Sequence, residues 1–178
     1  MSVEKENQDT YPFFLVESRE VETPTDSPDR DLFRFELKNT EAFQTDFFGA
    51  SEEDCQSWAL QQMERFNFIE QDIIAILDKH SVTDGSLLIK YYRRSPGFQL
   101  PGFDALLPPE KGRWYTFRVL YPQASRVHAD LIYTAPDVTY PFYFGRKDEL
   151  TDKNGIFDVD KAVKLSIGEK IDITEESM

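Results

Sequence analysis

The clearest pattern of apolar and polar positions lies between Ser51 and His80. Apolar side chains recur there at steps of three or four residues and would share one helical face: Cys55, Ala59, Met63, Phe66, Ile69, Ile73 and Leu77. Ser51 stands where an N-cap belongs, and the carboxylates at 52–54 would lie near the positive end of the helix dipole. Lys79 and His80 place basic side chains at the other end. The pattern predicts one continuous amphipathic helix over residues 51–80.

Alternating apolar residues predict strands on both sides of this helix. The clearest are Leu32 to Lys38, Ser86 to Arg94, Arg113 to Tyr121 and Val127 to Thr134, with weaker signals at Tyr11 to Val16 and Thr139 to Phe144. The strands at 113–121 and 127–134 are separated by a short connection, which predicts a hairpin. The predicted fold is therefore α+β, with one long amphipathic helix packed on a curved, mostly antiparallel sheet of five to seven strands.

The same pattern gives the domain organisation. We expect a flexible N-terminus at 1–10, a single α+β domain at 11–173, and a flexible C-terminal tail at 174–178. Phe43, Phe47 and Phe48 precede the predicted helix and are expected to tuck into the core. Residues 95–112 hold four prolines and three glycines, which indicates a long loop of functional interest.

Charge restricts the classes of partner. The chain carries 33 acidic and 20 basic residues, a formal net charge of −13. Residues 1–80 hold 19 acidic and 7 basic residues (net −12), whereas residues 81–178 hold 14 and 13 (net −1). Direct binding to nucleic acid or to an anionic membrane needs a basic surface, so the composition argues against both and permits a basic protein partner. The N-terminus lacks a signal-peptide pattern, and no apolar run nears the ~20 residues of a membrane helix, so we expect a cytoplasmic protein.

Residues with catalytic chemistry are scarce. Cys55, the single cysteine, falls on the predicted apolar helix face and is expected to be a core residue. The segment 148–160 superficially resembles a calcium loop, but Leu150 and Lys161 would occupy its first and twelfth positions, where oxygen ligands are required. The chain has no phosphate loop, GxGxxG or GxSxG motif. We therefore expect no cofactor and no metal.

Two functions of different classes remain open. The first is a non-catalytic acidic interaction protein, of the inhibitor or immunity type, that binds a basic protein surface through the predicted helix start and the loop before it: Asp26, Asp29, Asp31, Glu52, Glu53 and Asp54. The second is a small-molecule-binding or lyase/isomerase-type domain with an apolar pocket. Its polar candidates are His128, Asp130, Tyr115 and Tyr133, with His128 and Asp130 on one face of a predicted strand. A third, weaker option is a structural subunit of a larger assembly. The sequence leaves the oligomeric state open.

Overall fold

The computed structural model describes residues 13–20, 41–63, 72–94, 98–99, 106–107 and 111–169. The chain divides into two compact units, Met1–Ala50 and Ser51–Met178. The predicted strand at 32–38 and most of the Pro-rich loop at 95–112 lie outside the described residues.

In the first unit, residues 16–19 are bonded to residues 45–46. The Thr45 hydroxyl donates to the Val16 carbonyl (2.7 Å), and the Asp46 amide donates to the Glu17 carbonyl (2.9 Å). The Asp46 carboxylate accepts from the Arg19 amide and the Ser18 hydroxyl, both at 3.0 Å, and these bonds lower its pKa. The expected burial of the neighbouring phenylalanines is wrong for Phe48, whose side chain is 94% exposed.

The second unit is built on a three-stranded antiparallel sheet. Its strands are β1 (Ile73–Ile76), β2 (Ser86–Arg93) and β5 (Arg113–Leu120), in the order β1-β2-β5. The predicted strands at 86–94 and 113–121 are thereby confirmed. A separate pair is formed by β3 (Phe98–Gln99) and β4 (Leu106–Leu107).

Helices cover one face of the sheet. The chain after β5 forms a 3₁₀ turn (Tyr121–Gln123), α3 (Ala124–Ile132), α4 (Pro136–Tyr140), a π-helical turn (Pro141–Gly145), a second 3₁₀ turn (Asp148–Leu150) and α5 (Val159–Ser166). Phe117 of β5 forms the centre of this core, with its ring 5.6 Å from that of Tyr143 and 5.4 Å from that of Phe157. Lys90 lies between Ile89 and Tyr91 on β2, so its side chain is on the face opposite to theirs, where Glu52 of α1 (Glu52–Met63) reaches it.

The prediction of one long helix over 51–80 is wrong. Helix α1 ends at Met63, residues 64–71 are not described, and Ile73–Ile76 forms β1. The helix α2 (Lys79–Asp84) begins at Asp78, whose carboxylate accepts from the amides of His80 and Ser81, and ends at Gly85 in the left-handed conformation (φ 68°). The run Ile-Ile-Ala-Ile is rich in β-branched residues and pairs with β2. Its agreement with a helical period was therefore coincidental.

The predicted strands at 127–134 and 139–144, and the hairpin that includes the first, are also wrong. The chain there is helical, and the buried positions Ala124, Val127, His128 and Leu131 keep a helical spacing along α3. Among the described residues, five α-helices and a three-stranded sheet replace the predicted single long helix and sheet of five to seven strands. The α+β class itself stands.

Candidate functional site

The first candidate site is the start of α1. Ser51 is the N-cap, as predicted, because its hydroxyl accepts from the Asp54 amide (3.1 Å). In return, the Asp54 carboxylate accepts from the Ser51 amide (3.4 Å), which makes a capping box. All four residues from Ser51 to Asp54 are exposed. The carboxylate of Asp54 thus holds the helix start in place while remaining on the surface.

Glu52, the next candidate, has a structural role. Its carboxylate forms an ion pair with Lys90, whose side chain is only 6% exposed, against 49% for Glu52. The Lys90 ammonium also donates to the Thr116 hydroxyl (2.8 Å). An ammonium buried in a sheet needs a counter-charge, so Glu52 stabilises the buried Lys90 and links the start of α1 to β2.

Glu53 is the candidate whose carboxylate has no partner among the described residues. Its side chain makes no hydrogen bond or ion pair within the part of the chain that the structure describes, and it is exposed beside the capping box. Asp26, Asp29 and Asp31 lie outside the described residues. The structure therefore brings Glu52, Glu53 and Asp54 together and leaves Glu53 as the carboxylate open to a partner.

The second candidate site centres on Asp130, which lies in α3 and is 2% exposed. The Tyr143 hydroxyl donates to one of its carboxylate oxygens (2.9 Å), and Arg126 Nε donates to the other (2.8 Å). The Thr139 hydroxyl donates to the Asp130 carbonyl (3.2 Å). Burial, together with the nearby Asp130 charge, raises the pKa of Tyr143 far above its usual range. With both oxygens bonded, Asp130 ties α3 to the π-helical turn.

The other members of this candidate set do not surround a common point. On a helix, His128 and Asp130 are two positions apart and project about 200° from each other, so the predicted shared strand face is wrong. The His128 ring packs against the ring of Tyr133 (centroids 5.5 Å apart), and burial lowers the pKa of His128. Tyr133 itself is 72% exposed. Tyr115 lies on β5, with its ring 5.0 Å from that of Phe144.

Two arginines of the second half form internal ion pairs. Arg94 forms an ion pair with Asp72. The Arg118 guanidinium forms a bidentate ion pair with the Asp78 carboxylate and also donates to the Ser86 hydroxyl (3.0 Å). The hydrogen bonds from Arg118 lower the pKa of Asp78 to about 2. No group of three or more His, Cys, Asp or Glu side chains in the described residues is arranged to hold a metal ion.

Sequence reasoning missed the role of Lys90. The available signal was a single charged residue inside the otherwise apolar run Leu87 to Tyr92, where a buried ammonium demands a partner. The identity of that partner, Glu52, depends on the packing of α1, which the sequence pattern does not specify.

Comparisons of this chain with protein-family models, with curated proteins and with solved structures found no match. Every helix within the described ranges is too short or too polar to cross a membrane.

Proposed function

We propose that this protein is a non-catalytic acidic interaction protein that binds a basic protein surface, in the manner of an inhibitor or immunity-type protein. The observation that carries the proposal is the exposed start of α1, where Glu53 has no internal partner in the described residues. The segment around it, residues 51–63, holds three acidic side chains and no lysine or arginine. A basic surface would be attracted to such a segment and oriented by it.

The internal contacts give the three acidic residues at the start of α1, Glu52, Glu53 and Asp54, different roles. Glu52 compensates Lys90 and Asp54 closes the capping box, so both carboxylates have fixed positions. Glu53 then meets the partner as an exposed charge between two ordered neighbours.

The second candidate function, a pocket with acid–base chemistry, receives less support. Proton transfer needs a titratable group within reach of a substrate. Both carboxylate oxygens of Asp130 already accept bonds from neighbouring side chains, and His128 packs against Tyr133. We therefore assign these residues to the scaffold.

The test uses the full chain as bait in a lysate of its source cells, with capture at 50 mM and 300 mM salt. We expect a partner of high isoelectric point whose retention falls steeply with salt, because exposed ion pairs are screened. In binding measurements with that purified partner, Glu53→Lys should weaken affinity by about fivefold, the effect of an exposed charge pair worth roughly 1 kcal/mol.

Asp160→Lys is the matched control. Asp160 occupies the same position in the first turn of α5 that Glu53 occupies in α1, and it is also exposed. Both substitutions change the net charge equally and remove the same favourable interaction with a helix dipole. Equal weakening by both variants, or a captured partner whose retention ignores salt, would contradict the proposal.

A further inference from the structure

One edge of the central sheet is the strand β1, and its outward backbone groups make no hydrogen bond to any described residue. The Tyr92 amide donates to the Asp72 carbonyl (2.6 Å), and β1 pairs with β2 in antiparallel register. Hydrogen-bonding direction alternates along a strand, so Asp72 and every second residue after it face β2. The amides and carbonyls of Ile73 and Ala75 therefore face outward.

The side chains along this edge are apolar. The strand has the sequence Ile-Ile-Ala-Ile, and the residue that follows it, Leu77, is 65% exposed. Proteins usually protect an edge strand with lysine, proline or a bulge, because open backbone groups there are a template for another strand. None of these protections interrupts β1, whose register with β2 is continuous over its four residues. The group that fits this edge is an extended strand.

We infer that β1 pairs antiparallel with β1 of a second copy of this chain, so that two three-stranded sheets join into one sheet of six strands. A two-fold axis at Ala75 would pair Ala75 with its own copy and Ile73 with Leu77 of the second copy, through about six backbone hydrogen bonds. Because both chains use the same edge, the contact closes at two copies and does not continue into a filament. This surface is separate from the start of α1, and the inference does not depend on the proposed function.

The side chains of β1 are complementary to themselves in this register. Ile74 would lie opposite Ile76 of the second copy in a non-hydrogen-bonded pair, the kind in which side chains approach most closely. Both isoleucines are only part buried within one chain, and cross-strand pairs of apolar β-branched residues stabilise a sheet. Leu77 would be covered by Ile73 of the second copy.

The charges around β1 favour a second copy over a basic partner. Residues 73–77 contain no carboxylate that would attract a basic strand. Each chain has a formal net charge of −13, so two copies repel each other where carboxylates meet. The register places Asp72 opposite Asp78 of the second copy, but Arg94 and Arg118 compensate these two carboxylates within each chain. The β1 edge thus lets two acidic chains approach without opposing uncompensated charges.

The test measures the mass of the full chain by sedimentation equilibrium and its amide exchange by NMR, between about 5 and about 500 μM. We expect a concentration-dependent dimer, in which the amides of Ile73 and Ala75 exchange about tenfold more slowly at the higher concentration. The amides of Trp114 and Thr116 are the internal control, because they face outward from the other edge strand, β5. Their exchange should not depend on concentration.

Substitutions at the edge separate pairing through β1 from association elsewhere. Ala75→Pro removes an amide proton that faces outward, and should raise the dissociation constant of the dimer about 30-fold through the loss of two hydrogen bonds. Leu77→Lys places a charge on the apolar edge without altering the backbone, and should raise it about tenfold. Val82→Lys is the matched control, since Val82 is 92% exposed on α2 and the change in charge is the same. It should dimerise at least as tightly as wild type.

Salt distinguishes this inference from the proposed function. Raising salt from about 50 to about 300 mM should tighten the dimer, because it screens the repulsion between two acidic chains, whereas it should weaken capture of a basic partner. A chain that remains monomeric at about 500 μM, a dimer that Leu77→Lys leaves unchanged, or protection of Trp114 and Thr116 in place of Ile73 and Ala75 overturns the inference. The surface at Glu53 is tested separately, by capture.

Discussion

The hydrogen bond between Tyr143 and Asp130 gives the sharpest test of whether Asp130 is scaffold or site. The perturbation is Tyr143→Phe, which removes one hydroxyl and leaves a carboxylate oxygen that is 2.9 Å from that hydroxyl without its donor. Asp130 is 2% exposed, so water cannot readily replace the lost bond. Hydrogen bonds to charged groups contribute about 1.5–3 kcal/mol.

We therefore expect Tyr143→Phe to lower the free energy of unfolding by about 2 kcal/mol, which corresponds to roughly 4–8 °C in melting temperature for a chain of this size. Asp130→Ala should cost about 3 kcal/mol, because it also removes the acceptor of Arg126, whose exposed side chain adds less than ~1 kcal/mol. In the double variant the two losses should overlap by about 1.5 kcal/mol or more, since both remove the same bond.

The assay is urea denaturation followed by circular dichroism, with the slope of free energy against urea compared between variants. Tyr133→Phe is the control, because it also removes a phenol hydroxyl from this region but at a residue that is 72% exposed. It should stay within about 0.5 kcal/mol of wild type. Additive losses in the double variant, or a Tyr143→Phe protein as stable as wild type, would refute the scaffold role of Asp130.

Three further predictions concern other internal charges. Glu52→Gln should lower the free energy of unfolding by about 1–2 kcal/mol in urea, since it leaves the Lys90 ammonium without its counter-charge; an unchanged stability would contradict this. Asp78 has a pKa lowered to about 2, so its contribution is present above about pH 4 and is lost as the pH falls toward 2. Asp78→Asn, which keeps the cap but weakens the contact with Arg118, should remove about 1 kcal/mol of that acid-sensitive stability, measured by melting between pH 2 and 7. Burial lowers the pKa of His128, so an NMR titration should find a midpoint below 6.5, and stability should decline as the pH falls from 6.5 toward that midpoint; a midpoint at or above 6.5 would contradict the burial of an uncharged ring.

The strands of the central sheet were predictable because their signal is local. Residues 86–93 and 113–120 are dense in β-branched and aromatic residues, and the pattern was strong enough to identify both. The helical start at Ser51 was predictable for the same reason, since the capping box uses only residues 51 and 54.

The segment 124–144 shows where local signals failed. Val127, Leu131 and Ile132 are compatible with a strand as well as with a helix. The polar residues between them resemble the apolar–polar alternation of a half-buried strand. The burial of Ala124, Val127 and Leu131 along one side of α3 decides in favour of the helix. That decision depends on the packing of α3 against β2, which comes from a different part of the chain.

The sequence by itself determined the α+β class, the two long strands, the cap of α1 and the concentration of negative charge in the first half. Tertiary structure decided which charges remain available. In the tertiary structure, Glu52 forms an ion pair with Lys90, and Asp130 accepts a hydrogen bond from Tyr143. The side chains of Glu53 and Phe48, by contrast, are exposed. The physical reason is that capping and alternation depend on neighbours along the chain. The partner of a buried charge is set by packing between elements far apart in sequence, as Lys90 and Thr116 are, at 26 positions.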